Sequence, residues 1–264
     1  MDLGIKGKRA LITGGTGGMG LETAKLLKAE GATIVLSDMD QEALDKAAEE
    51  LGGVEALIAA DLTKPAEFDR LAERMKALGG TDILVHTTGI TGAKGDPLEM
   101  KDEDWEEAWT IDFMSAVRLS RVLVPQMVDK GWGRCVFVTS ENAVQPYPDE
   151  MVYNVAKAAL LNFVKGVSMP YSAKGVLINA VSPAFIESPM TDGMMEKRAE
   201  KSGESKEETI QSFLKEERPF MKQGRRGKVE EVAPVIALLC SDLASFTVGS
   251  AYRVDGGSVG AMNI

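Results

Sequence analysis

The chain has 264 residues, enough for one large core or two small ones, and its ordinary globular composition excludes disorder and coiled coil. A net charge of -10 argues against nucleic acid or an anionic membrane as a partner and favours solubility. Two cysteines, Cys135 and Cys240, far apart in apolar stretches, and a single histidine point to a reducing compartment with neither a disulfide framework nor a transition-metal site. With no long apolar segment anywhere, the expectation is a cytoplasmic protein that does not cross a membrane.

The first short apolar run, RALIT (9–13), leads into TGGTGGMG (13–20) and then into the helical pattern LETAKLLKAEG (21–31), which ends on glycine. Strand, glycine loop and helix together form a phosphate site. Glycines let the backbone come close to a ligand, and the helix N-terminus offers free N–H groups and partial positive charge. Gly14, Thr16, Gly18, Met19 and Gly20 are therefore candidate cofactor contacts.

The second run, TIVLS (33–37), delivers Asp38 at its carboxyl end, with Met39 beside it. An acid about 20 residues beyond such glycines hydrogen-bonds the adenosine ribose, although Asp38 also suits the role of cap for the helical pattern at 40–53. No Arg or Lys stands at 14–19 or 37–41 to meet a 2′-phosphate, and Asp38 would repel one, so NAD is expected in preference to NADP. After the third run, EALIAA (55–60), Asp61 and the Leu62 backbone fall near the adenine if the sheet is so wound. Asp61 equally suits a cap for a helix starting at Pro65.

Further runs follow at DILVH (82–86), CVFVT (135–139) and LINAV (177–181). Short apolar strands alternating with helices predict a doubly wound, Rossmann-type parallel sheet with helices on both faces, in one domain spanning 1–264. The charge-dense stretch 187–227 interrupts this rhythm, and Met190, Met194, Met195, Phe213, Phe220 and Met221 give it an apolar side. A helical lid over the carboxyl ends of the strands is the expectation, with a plain solvated helical pair as the alternative.

On this scaffold Ser140 ends the run CVFVTS, and Tyr153 and Lys157 follow one helical turn apart in YNVAK. Free tyrosine has a pKa of about 10, too high for a base near neutrality. An adjacent ammonium and a positive nicotinamide ring would lower it, so that Tyr153 exchanges a proton with an alcohol or alkoxide while Ser140 holds the reacting oxygen. Lys157 would tune Tyr153 and bind the nicotinamide ribose.

With TGGTGGMG, Ser140 and YNVAK, INAVSPAFIESPM (178–190) and GSAYRVDGGS (249–258), the chain resembles the classical short-chain dehydrogenase/reductase family over nearly its full length. Within it, the nearest likeness is to 3-oxoacyl-carrier-protein reductases. The resemblance implies a sheet of about seven strands, usually a homotetramer or homodimer, and NAD(P)-dependent chemistry on secondary alcohols or ketones. It assigns Thr88, Gly89, Pro183, Ile186 and Ser188 to the cofactor, and Gln145, Tyr147 and Phe185, with Ser140 and Tyr153, to the substrate. Three positions depart from the pattern. His86-Thr87-Thr88-Gly89 stands for the usual NNAG, with His86 expected as a structural replacement. Asp112 takes the place of the asparagine that anchors a water chain to the lysine, and modifies the site. Ala184 follows Pro183 where glycine is usual. Pro170 is expected to kink or end its helix.

The preferred reading is an NAD-dependent oxidoreductase of secondary alcohols and ketones on a small, partly apolar molecule. The alternatives are an NADPH-dependent reductase of 3-oxoacyl thioesters or other ketones, and a dinucleotide-binding regulator without turnover.

Overall fold

Alternate residues along each short strand face opposite ways, and in the central strands both faces are apolar. In β1 (Arg9–Thr13), Ala10 and Ile12 enter one core with Leu27, Leu44 and Ile236, while Leu11 enters a second with Phe68, Leu71 and Leu119. Such a strand is stable only with helices on both sides, each fully buried leucine contributing roughly 2 kcal/mol. The computed structural model describes residues 2–262 and shows that arrangement.

Seven parallel strands lie in the order β3-β2-β1-β4-β5-β6-β7. They are β1, β2 (Thr33–Asp38), β3 (Ala56–Ala59), β4 (Ile83–His86), β5 (Gly133–Val138), β6 (Val176–Pro183) and β7 (Ala251–Val254). Helices α1 (Gly18–Ala29), α2 (Gln41–Glu50) and α9 (Val229–Leu239) cover the first core. Helices α3 (Pro65–Ala77), α5 (Ser115–Lys130) and α6 (Met151–Ser172) cover the second. Helix α4 (Asp102–Ala108) runs into α5 through a wider, π-helical turn at Trp109–Met114. The order reverses between β1 and β4, which opens the crevice at their carboxyl ends where ligands bind in such sheets.

The 187–227 stretch folds as α7 (Pro189–Ser202) and α8 (Lys206–Glu217), inserted after β6. Met195, Phe213 and Met221 pack inward with Phe185, Ile210 and Leu214, whereas Met190 and Phe220 stay about half exposed, so only part of the expected inner face forms. Pro170 lies inside the last turn of α6, where it withholds the bond its N–H would give the Gly166 carbonyl, and the helix ends two residues on. Among the described residues no helix is long and apolar enough to cross a membrane.

Candidate active site

At the turn after β1, Gly14 has φ of +69°, and a Cβ there would come within 2.8 Å of the Thr88 backbone nitrogen. Only glycine fits both demands. At Gly20 a Cβ would meet the Gly14 carbonyl at 2.4 Å, so the start of α1 sits directly on the turn. The N-terminus of α1 has neither a side-chain cap nor an acid in its first turn, which leaves its N–H groups and dipole for an anion. The cradle fits a dinucleotide's phosphates, and the Thr88 hydroxyl, buried without a partner, fits a ligand alongside.

Asp38 stands at the rim of this cradle. Its Oδ2 accepts from Thr16 Oγ1 at 2.6 Å and its Oδ1 from the Met39 amide at 2.8 Å. Capping of α2 falls to Asp40, whose Oδ1 accepts from the Glu42 and Ala43 amides, so Asp38 is not that helix's cap. Asp61 turns back on its own loop, accepting from Thr63 and pairing with Lys64 at 2.9 Å. These contacts hold its carboxyl at about 2, and Leu62 is buried in the second core. Pro183 ends β6 and Ile186 is buried beyond it. Ser188 caps α7 through its hydroxyl.

Ser140 follows β5, and Tyr153 and Lys157 come from the first turns of α6, so the triad converges as its spacing predicts. Lys157 is buried, donates to the Val138 carbonyl at 3.3 Å and lies 5.5 Å from the centre of the Tyr153 ring. It does not act on the tyrosine alone. Asp112, on the π-helical turn and fully buried, places Oδ1 3.2 Å from Lys157 Nζ and accepts the Ile90 amide at 3.1 Å. Burial pushes the Asp112 carboxyl up against the pull of Lys157.

The consequence for Tyr153 reverses the expected direction. Its pKa is raised, by burial first and then by the Asp112 charge, with the Ser140 hydroxyl pulling the other way. The lysine's charge is largely neutralised by its acid partner, so in the free protein the phenol keeps its proton. Gly89 is part of the same arrangement: a Cβ there would meet Asp112 Oδ1 at 2.6 Å and Lys157 Nζ at 3.1 Å.

His86 is structural. Buried between strands, it contacts Thr13 Oγ1 through Nδ1 at 2.7 Å and Ser115 Oγ through Nε2 at 3.0 Å. Ser115 donates its hydrogen to the Ile111 carbonyl, so Nε2–H must donate to Ser115 and Nδ1 accepts from Thr13. Burial first, and then Lys157, push the imidazole down to about 3, which keeps it neutral.

Beside Ser140 lies a polar cluster that sequence reasoning did not find. Glu141 is 3% exposed, accepts from Ser140 Oγ at 2.8 Å and has Arg218 Nε 3.5 Å from its Oε1. Glu150 accepts from Lys94 at 2.6 Å, Asn142 at 2.7 Å and Arg218 at 3.3 Å. Arg218, at the end of α8, stacks 3.4 Å from the Tyr147 ring centre. The acid next to Ser140 was visible in the sequence, but its partner Arg218, far along the chain at the end of α8, gave no local signal. Of the substrate candidates, Tyr147 and Phe185 are buried under the 187–227 segment, the first against Arg218 and Ser258, the second 4.8 Å from Phe213. Gln145 is half-buried on the loop before Tyr147.

The family model described as enoyl-(acyl carrier protein) reductase matches residues 14–259. The uncharacterised oxidoreductase YvrD of Bacillus subtilis is 35% identical over 98% of this chain and 99% of its own length. The 3-oxoacyl-[acyl-carrier-protein] reductase FabG of Thermotoga maritima is 32% identical over 97% of this chain and 99% of its own. Among solved structures, L-sorbose reductase from Gluconobacter frateurii, complexed with NADPH and L-sorbose, superposes with a TM-score of 0.93 at 36% identity, covering 99% of this chain and 100% of that one. Likeness of this extent, on a sheet and crevice of this form, places the chain in the short-chain dehydrogenase/reductase family, whose members are NAD(P)-dependent oxidoreductases of CH–OH and keto groups.

Proposed function

We propose that the protein is an NAD(H)-linked oxidoreductase that interconverts a secondary alcohol and a ketone, and that it favours reduction. The observation that carries the chemistry is the convergence of Ser140, Tyr153 and Lys157 at the crevice, with the phenol of Tyr153 held protonated. A nicotinamide dinucleotide bound on the glycine cradle supplies the hydride. The chain's residues do the rest. Ser140 Oγ holds the carbonyl oxygen, and Tyr153 gives it a proton as negative charge develops there. Lys157, fixed by Asp112 and the Val138 carbonyl, orients the nicotinamide ribose and supports the tyrosine once its proton has left. Reduction starts from the phenol, the form the free protein holds, and oxidation from the phenolate, which supports the reductive direction.

The choice of NAD rests on Asp38, set beside the glycine loop by Thr16, with no Arg or Lys at 14–19 or 37–41 to receive a 2′-phosphate. The apolar underside of α7 and α8 supports their role as a lid over a small, partly apolar substrate, while Glu141 and Asn142 hold Ser140 at its reacting end. Exposed Trp109, Val155 and Met169 on the α4–α5 and α6 surfaces support a homotetramer or homodimer. An NADPH-linked ketone reductase is the second reading, favoured by the sorbose reductase's bound NADPH.

Titration of the protein with NADH and NADPH, followed by tryptophan fluorescence, separates the two readings. NADH should bind more tightly by about tenfold or more, because the phosphate would face the Asp38 carboxylate. Tighter binding of NADPH would overturn the assignment of Asp38.

A further inference from the structure

A carboxylate buried beside a catalytic hydroxyl competes for its hydrogen. Ser140 Oγ has one hydrogen to give, the Tyr153 hydroxyl as a partner on the reacting side, and two closer acceptors, Glu141 Oε2 at 2.8 Å and Asn142 Oδ1 at 3.1 Å. Its oxygen already accepts from the Asn142 amide at 3.2 Å. The Asn142 side chain cannot turn, because Nδ2 donates to both Glu150 and Asn154. With Glu141 ionised, the serine hydrogen therefore lies on the shorter, charge-assisted bond and points away from any substrate.

We propose that Glu141 is a positioning residue for the catalytic serine: ionised, it draws the Ser140 hydrogen into its own Oε2, and protonated, it donates to Ser140 Oγ and leaves only the longer, neutral bond to Asn142 Oδ1 to compete with the substrate's oxygen for that hydrogen. The proton comes from solvent, no covalent bond to carbon changes, and the exchange is a reorientation of two hydrogens around one oxygen. This inference rests on the reductase reading for its consequence, though not for its geometry.

The surroundings place the switch near neutrality. Burial raises the Glu141 carboxyl to about 7, against the pull of Arg218 and of the Ser140 hydrogen bond, and Glu150 adds to the rise. The other charged groups on the elements packed around it act on one another. Lys94 and Arg218 outweigh burial at Glu150, and Lys157 is paired with Asp112 on the far side of Tyr153. Arg218 Nε, buried without a hydrogen-bond partner, faces Glu141 Oε1 at 3.5 Å, too far to lock the carboxylate in its charged form.

Two measurements on the full chain test this. The first follows carboxyl-labelled glutamate by carbon NMR across pH 5 to 9. One signal should titrate near 7 in the parent, vanish in Glu141→Gln, and move up by about one unit in Ser140→Ala, which removes a hydrogen bond made to the charged form. No such signal, or one that Ser140→Ala leaves in place, overturns the proposal whether or not the protein reduces ketones. The second uses L-sorbose with NADH or NADPH as the probe. The parent's kcat should fall about tenfold one pH unit above its midpoint. Glu141→Gln, whose amide donates to Ser140 at every pH, should lose that inflection. Retention of the same inflection in Glu141→Gln would assign it elsewhere and overturn the proposal. Absence of turnover on L-sorbose and a wider ketone panel would count against the reductase reading, with the NMR titration still deciding the Glu141–Ser140 coupling.

Discussion

Asp112→Asn removes one buried charge and leaves the shape of the site nearly unchanged. The carboxylate lies 3.2 Å from Lys157 Nζ, which is itself 5.5 Å from the Tyr153 ring centre, so the charge is no more than about 9 Å from that ring. At an effective dielectric of about 20, a unit charge at that distance is worth ~2 kcal/mol, or ~1.4 pKa units. The amide oxygen of asparagine still accepts from Ile90, and the ammonium of Lys157 is left to act on the phenol alone. The Tyr153 pKa should accordingly fall by about one to two units. Tyrosinate absorbance measured against pH reads this directly, with Tyr153→Phe as the blank for the other three of the chain's four tyrosines. In turnover, the pH optimum for alcohol oxidation should move down by a similar amount. An unchanged or higher Tyr153 pKa in Asp112→Asn would refute the claim that Asp112 governs the triad's electrostatics.

Gly89→Ala should disturb the same pair sterically. Its Cβ would stand 2.6 Å from Asp112 Oδ1, so we expect a loss of about 1–3 kcal/mol in denaturant unfolding together with weaker dinucleotide binding; wild-type values for both would contradict the packing described. His86 gives a signed dependence on pH. Its pKa falls from 6.5 in the unfolded chain to about 3 in the fold, so the unfolded state takes up a proton first and stability is lost as pH drops below 6.5. By pH 5 this amounts to about 2 kcal/mol, and His86→Asn should flatten the Tm difference between pH 5 and pH 7 whatever its effect on absolute stability.

The sequence carried the parts of the site whose chemistry is local. The glycine loop, Asp38, Ser140 and YNVAK each lie at the end of a strand or the start of a helix, and periodicity alone located those elements. Strand limits moved where burial continued past the apolar run: β5 begins at Gly133 and β6 runs on to Pro183. The sign of the Tyr153 shift was not legible, because it depends on how closely a π-helical turn brings Asp112 to Lys157. Nor was the pairing of Glu141 with Arg218, since the arginine reaches Glu141 only once α7 and α8 have folded back over the sheet. His86 gave half its story. Its structural role followed from the family resemblance, in which it stands for a strand-tying asparagine, but its partners Thr13 and Ser115 come from two other elements.

The central claim is that Tyr153 transfers the proton, and single-turnover oxidation of bound NADH or NADPH by a ketone found in a panel tests it most directly. Tyr153→Phe should bind the dinucleotide normally and lose about a hundredfold to ten-thousandfold in rate, as expected for removal of a general acid. A Tyr153→Phe protein that reduces the ketone at the parent's rate would show that the proton comes from elsewhere.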